Sequence, residues 1–151
     1  MDADQVLERL RALESPRDRE GMARFGINPH HALGISVAKM RAIAREIGRD
    51  HDLALGLWAP GIHEARILAT IVDGPELVSK EQMQSWVEDS TRGINWALRG
   101  IGKRNAHLKE LAIASAERIR GQNTKSARWI ANDALRELTS DGVKDRLRQA
   151  S

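Results

Sequence analysis

Residues 91–105, TRGINWALRGIGKRN, decide how this chain is read. Ile94, Ala97, Leu98 and Ile101 recur at intervals of three and four, the spacing that gathers apolar side chains on one side of a helix. Arg92, Trp96, Arg99 and Lys103 recur at four, three and four on another side. A helix that only has to stay soluble tends to mix charges on its outer face, whereas this stripe is basic, aromatic, basic, basic. Cations for phosphates with a flat apolar ring among them suit a helix that faces nucleic acid. A solvated basic face with a half-buried tryptophan accounts for the same helix equally well when it is taken alone.

Working back toward the N-terminus, every strong signal is helical. Asp4 is placed to cap a first helix with Val6, Leu7, Leu10 and Leu13 on one side, and Ser15-Pro16 ends it. Residues 16–35, with Gly21, Gly26, Pro29 and Gly34, read as irregular or only briefly helical. Ser36 opens a second helix that Gly48 stops. Short helices follow over about 51–58 and 62–72, separated by Pro60-Gly61. Ser79 and Gln82 have the spacing of a capping box for a helix reaching about Asp89, which then joins the opening stretch directly or through a bend near Ser90. Toward the C-terminus, a helix runs from Asn105 to Gly121. The next is capped by Asn123 or Thr124, with Ala127, Ile130, Ala131, Ala134, Leu135 and Leu138 inward and Lys125, Arg128, Asn132 and Arg136 on another side. A last short helix covers about 141–149. No segment alternates with period two over strand length. The fold class is therefore all-α, and helix pairs of about 40 residues per unit match the period of a HEAT-like or armadillo-like α-helical repeat solenoid. The expected organisation is a single repeat domain over 1–151, with an N-terminal helix and irregular segment over 1–35 and paired helices over 36–151.

Charge sharpens the reading. The chain of 151 residues has a net charge of +3, yet residues 1–90 are net −4, residues 91–128 are net +7 and residues 129–151 are neutral. Such asymmetry within one small chain suggests a surface for a polyanion. Cysteine is absent, so no disulfide framework or thiolate chemistry is available, which fits a cytoplasmic setting. No secretory signal or membrane-length apolar run is present. His63-Glu64 invites a zinc reading, but Ile67 stands where a second histidine would be needed, so no metal is expected and Glu64 reads as a helix-start carboxylate. Gly100-Ile101-Gly102-Lys103 lacks the strand and the Ser/Thr of a phosphate loop. Of the four tryptophans, Trp58 and Trp86 read as core, whereas Trp96 and Trp129 serve equally as core or as surface stacking platforms. Asp89 and Asp133 are the carboxylates nearest these rings in sequence, each more often structural than catalytic.

FGI at 25–27, LGIS at 33–36, LWAPGIHEARILA at 57–69, INWALRGIGKRN at 94–105 and ARWIANDALREL at 127–138 together resemble the DNA alkylation repair family of AlkD-like glycosylases. The resemblance implies HEAT-like repeats curved around duplex DNA. It also implies hydrolysis of the N-glycosidic bond of alkylated purines without metal or organic cofactor. Aromatic groups would meet the cationic lesion, and a carboxylate would stabilise the oxocarbenium-like sugar and position water. Trp96 carries over as an aromatic wall. The family's catalytic Asp, four residues after a Trp, does not carry over, because Ser90 follows Trp86 and Gly100 follows Trp96 at that spacing. The chain looks like a shortened member lacking that central block, and Asp89 is the stand-in only by proximity. Arg92, Arg99, Lys103, Arg104, Lys125, Arg128 and Trp129 are the expected DNA-binding set. The expected partner is duplex DNA, alkylated duplex included, bound by a monomer. A non-catalytic DNA-binding or lesion-sensing module, or a helical-repeat scaffold for an acidic protein, are the alternatives.

Overall fold

The computed structural model describes residues 1–25, 27–89, 94–122 and 124–149; the side chains of Phe25, of residues 87–89 and 94–97, and of Ser126 lie outside that description. All regular elements among the described residues are helical. They fall in two compact units, Met1–Leu77 and Val78–Ser151. None of the described helices is long and apolar enough to cross a membrane.

The first unit contains α1 (Ala3–Ala12), α2 (Pro16–Met22), α3 (Val37–Ile47), α4 (His51–Trp58) and α5 (His63–Val72). The cap of α1 is Asp2 rather than Asp4. Its carboxylate accepts from the Gln5 N–H at 2.9 Å while Gln5 Oε1 accepts from the Asp2 N–H at 3.1 Å. That reciprocal box needs a Gln or Glu three residues on, and the residue three after Asp4 is Leu7. Pro16 opens α2 at a first-turn position, where its missing N–H costs nothing, and Ser15 caps it. Ser36 caps α3, with Ile35 and Met40 buried on either side of the cap, and Gly48 ends that helix at φ +79°. Helices α4 and α5 form an antiparallel pair, with α1 against α4 and α3 against α5. Leu53, Leu57, Trp58, Ile67, Leu68 and Val72 are buried there.

The second unit contains α6 (Lys80–Asp89), α7 (Ile94–Gly102), α8 (Ala106–Gly121), α9 (Lys125–Leu138) and α10 (Asp141–Gln149). Ser79 Oγ accepts from the Gln82 N–H at 3.0 Å at the start of α6, and Trp86 is buried as expected. The segment between α6 and α7, where the sequence allowed a long helix or a bend, lies outside the described residues. Asn105 caps α8, and Thr124, of the two candidates, caps α9. Helices α8 and α9 form the second hairpin, and α7 packs on both. Gly102 is where the three meet: a Cβ there would stand 2.7 Å from Leu138 Cδ2 and 2.8 Å from Ala112 Cβ. The absence of a side chain lets α7 approach closely enough to bury Leu98 and Ile101. Each unit is built of paired helices around its own apolar interior, the architecture of a HEAT-like repeat protein.

Candidate nucleic-acid interface

The opening stretch supplies its apolar side to the core as its spacing requires, since Leu98 and Ile101 are buried. The basic side is not simply solvated. Arg99 sits 2.7 Å from Glu137 Oε2 and 3.4 Å from Asp133 Oδ2, and Lys103 Nζ donates to Glu137 Oε1 at 2.6 Å. Arg136 closes the network on Asp133 Oδ1 at 2.5 Å. Residues 99 and 103 are four apart, as are 133 and 137, so α7 and α9 run in the same direction here with charges in register. Burial alone would push the Glu137 carboxyl up. The hydrogen bonds from Lys103 and Arg99 and the charges of both outweigh it, and the group is held below the usual carboxylate range. At neutral pH Glu137 is therefore ionised.

The expected DNA-binding residues consequently fall into three groups. Arg99 and Lys103 are half-buried and held by acids of α9. Arg104 follows α7 half-buried, its N–H on Ile101 O at 3.1 Å. Lys125, Arg128 and Trp129 are exposed on α9, together with Asn132 and Arg136. Trp129 resolves its two-way reading: it is 66% exposed. Arg92 lies outside the described residues. Asp89 is the last residue of α6 and Trp96 lies within α7, but both side chains are outside the description. Asp133 is a paired residue, as its type suggested, and Glu137 is the network member the sequence reading missed. The signal was available: an acid pair spaced by four on one helix matches a cation pair spaced by four on another.

The first unit has a separate polar centre. Glu64 is completely buried. Its Oε2 accepts from the Leu33 N–H at 2.8 Å, and its Oε1 accepts from Gly34 at 2.8 Å and Ile35 at 3.3 Å. The reading of Glu64 as a helix-start carboxylate is correct for its place in α5 but misses this role. Gly34 can take part because its φ is +76° and a Cβ would stand 2.3 Å from Ser15 O. The LGIS and HEARILA blocks meet here, so their pattern is a requirement of packing. No group of three or more His, Cys, Asp or Glu among the described residues could hold a metal ion. Arg66 lies with its guanidinium 4.9 Å from the Trp58 ring centroid and donates to Trp58 O, a cation–π contact that is internal to the α4–α5 hairpin.

Beside this clamp, burial pushes the His63 imidazole below its usual value, against the opposing charge of Glu64. The unfolded chain then takes up a proton at higher pH than the folded one. Stability from neutral His63 is present above about pH 6.5 and is lost as pH falls through the lower folded value. Thermal melts of the wild type should therefore show a fall in midpoint below about pH 6.5 that His63→Gln makes smaller; an unchanged pH profile in the variant would assign the fall to other groups.

The fold defines an all-α protein of HEAT-like helical repeats. The sequence profile of the DNA alkylation repair enzyme family matches residues 6–92, more than half of the chain, and the chain belongs to that family. The match covers the first unit from Val6 onward and α6, and stops short of α7. Comparison with curated proteins by sequence finds no match. A solved structure described as a new family of proteins related to the HEAT-like repeat DNA glycosylases, with affinity for branched DNA structures, superposes with a TM-score of 0.70 at 19% identity. The superposition covers 89% of this chain and 56% of that one, so the chain spans little more than half of its structural neighbour. At that identity the likeness confirms the fold.

Proposed function

We propose that this chain binds DNA through the second unit, with Lys125, Arg128 and Arg136 of α9 and Arg104 meeting phosphates and Arg99 and Lys103 held in reserve by Asp133 and Glu137. The observation that carries the reading is an exposed cationic helix face in a member of the DNA alkylation repair family. The neighbour's affinity for branched DNA supports a nucleic-acid partner over an acidic protein. In the enzymatic form of this reading the substrate is DNA carrying alkylated purines, and the reaction is hydrolysis of the N-glycosidic bond. Trp96 walls the lesion by cation–π attraction. Asp89 is the candidate to stabilise the developing positive charge on the sugar and to orient water. The chain acts as a monomer, with no metal or cofactor called for by that chemistry.

Fluorescence anisotropy with a labelled duplex, together with release of methylated purines from alkylated duplex, tests both halves. Saturable binding with release above spontaneous depurination is the result expected of a glycosylase. Binding without release would make the chain a DNA-binding module, and absence of saturable binding would remove the DNA reading altogether.

A further inference from the structure

Trp129 is the most exposed large hydrophobic side chain among the described residues, and its surroundings are not those of a stray apolar residue. Lys125 precedes it by four residues, Arg128 by one, Asn132 follows by three and Arg136 by seven, and all are exposed. On a helix these offsets place them on the same broad face as the ring. Asp133, one turn from Trp129, is turned to Arg99 and Arg136 and is only 17% exposed, so the carboxylate does not stand open beside the ring. The inward side of α9 is fully used: Ala127, Ile130, Ala131, Ala134 and Leu138 are buried. The core therefore has no need of Trp129.

We propose that the outer face of α9 binds an unpaired nucleotide, with the base stacked on Trp129 and the flanking phosphates held by Lys125, Arg128 and Arg136. The proposal rests on the DNA reading above and specifies which form of DNA that face takes. A π-face set among cations is the arrangement that holds single-stranded nucleic acid without sequence preference, because every base has a face to stack and every nucleotide a phosphate. Continuous duplex fits poorly. Its base faces are covered by their neighbours, and a ring standing on a helix among long cationic side chains reaches one only after the base has left the stack, at a cost of a few kcal/mol. A nucleotide already unpaired, in a gap, flap, junction or frayed end, avoids that cost. From Lys125 to Arg136 the helix advances about 16 Å, room for a few nucleotides and no more. Asn132 adds an amide that can donate to or accept from a base edge beside the ring.

The test uses the full chain and two labelled gapped duplexes that differ at one position, the unpaired nucleotide carrying a base in one and an abasic sugar in the other. Phosphates are identical in the pair, so the difference reports stacking. Wild type should favour the base-bearing DNA by about 10-fold, the scale of one base–aromatic stack. W129A should abolish the preference, and W129F should keep part of it. Trp129 fluorescence should be quenched by the base-bearing DNA and the quench should vanish in W129F. Equal binding of the two gapped DNAs by wild type overturns the stacking proposal while leaving DNA binding in place. Loss of affinity for every DNA in W129A, with W129F behaving as wild type, also overturns it, by assigning Trp129 a structural role. Failure to bind any DNA removes the broader reading instead.

Discussion

Glu64→Gln is expected to lower the unfolding free energy by about 3 kcal/mol, with a fall in thermal midpoint of about 10 °C. Both oxygens of the wild-type carboxylate are in use, one for Leu33 and the other for Gly34 and Ile35, in a completely buried site. Glutamine offers one oxygen. Whichever way the amide turns, its NH2 faces backbone N–H donors, and at least one of them is left buried without an acceptor. Glu64→Ala leaves all three unmatched and should cost more. Glu64→Asp keeps two oxygens but is a methylene shorter and should fall between wild type and alanine. The loop from Ser15 to Ser36 is held at Leu33 twice, by this carboxylate and by the Ser15 N–H on Leu33 O at 2.8 Å. Thermal melts followed by helical circular dichroism measure the effect. A change under about 1 kcal/mol would mean that water replaces the carboxylate at little cost and that the clamp does not organise the first unit.

That clamp shows where the sequence was legible and where it was not. Helix starts and stops were readable because each depends on one or two neighbouring residues: Ser36 on α3, Gly48 after it, Asn105 on α8. The inward side of α9 was readable because a period of three and four needs no partner to be recognised. Glu64 was legible as the first turn of a helix but not as the anchor of residues 33–35, because that contact spans 29 to 31 positions of sequence. The same limit applied to the basic stripe. Its periodicity was local, but whether Arg99 and Lys103 face water, phosphate or carboxylate was decided by α9, more than 30 residues away. Trp129 needed the opposite information, namely that the described residues leave it 66% exposed.

The pairing of Arg99 and Lys103 gives the DNA reading its second large consequence, in the salt dependence of binding. If those two stay with Asp133 and Glu137, the proposed phosphate contacts are Lys125, Arg128, Arg136 and Arg104, about four cations. The affinity for duplex should then fall about 100-fold between 50 and 200 mM salt. Engagement of all six would make the fall about 1,000-fold or more. Glu137→Gln is the variant that moves the protein from the first regime toward the second. It removes the charge that holds Lys103 at 2.6 Å and Arg99 at 2.7 Å, and Asp133 at 3.4 Å is left as the weaker restraint on Arg99. The carboxyl is ionised at neutral pH because Lys103 and Arg99 hold it below its usual range, so the substitution removes a full charge under binding conditions. Affinity should rise about 10-fold at moderate salt, and the slope of log K against log salt should steepen by about one to two. Arg99→Ala should weaken binding more in the Glu137→Gln background than in the wild type, since only there is Arg99 released to phosphate. A lower thermal midpoint with unchanged affinity and slope would show the reverse: the ion pairs then serve to pin α7 to α9, and phosphate recognition belongs to Arg104 and the outer face of α9. The sign of the effect separates the two roles, because losing a structural pin does not tighten DNA binding, whereas removing a carboxylate that competes with phosphate must.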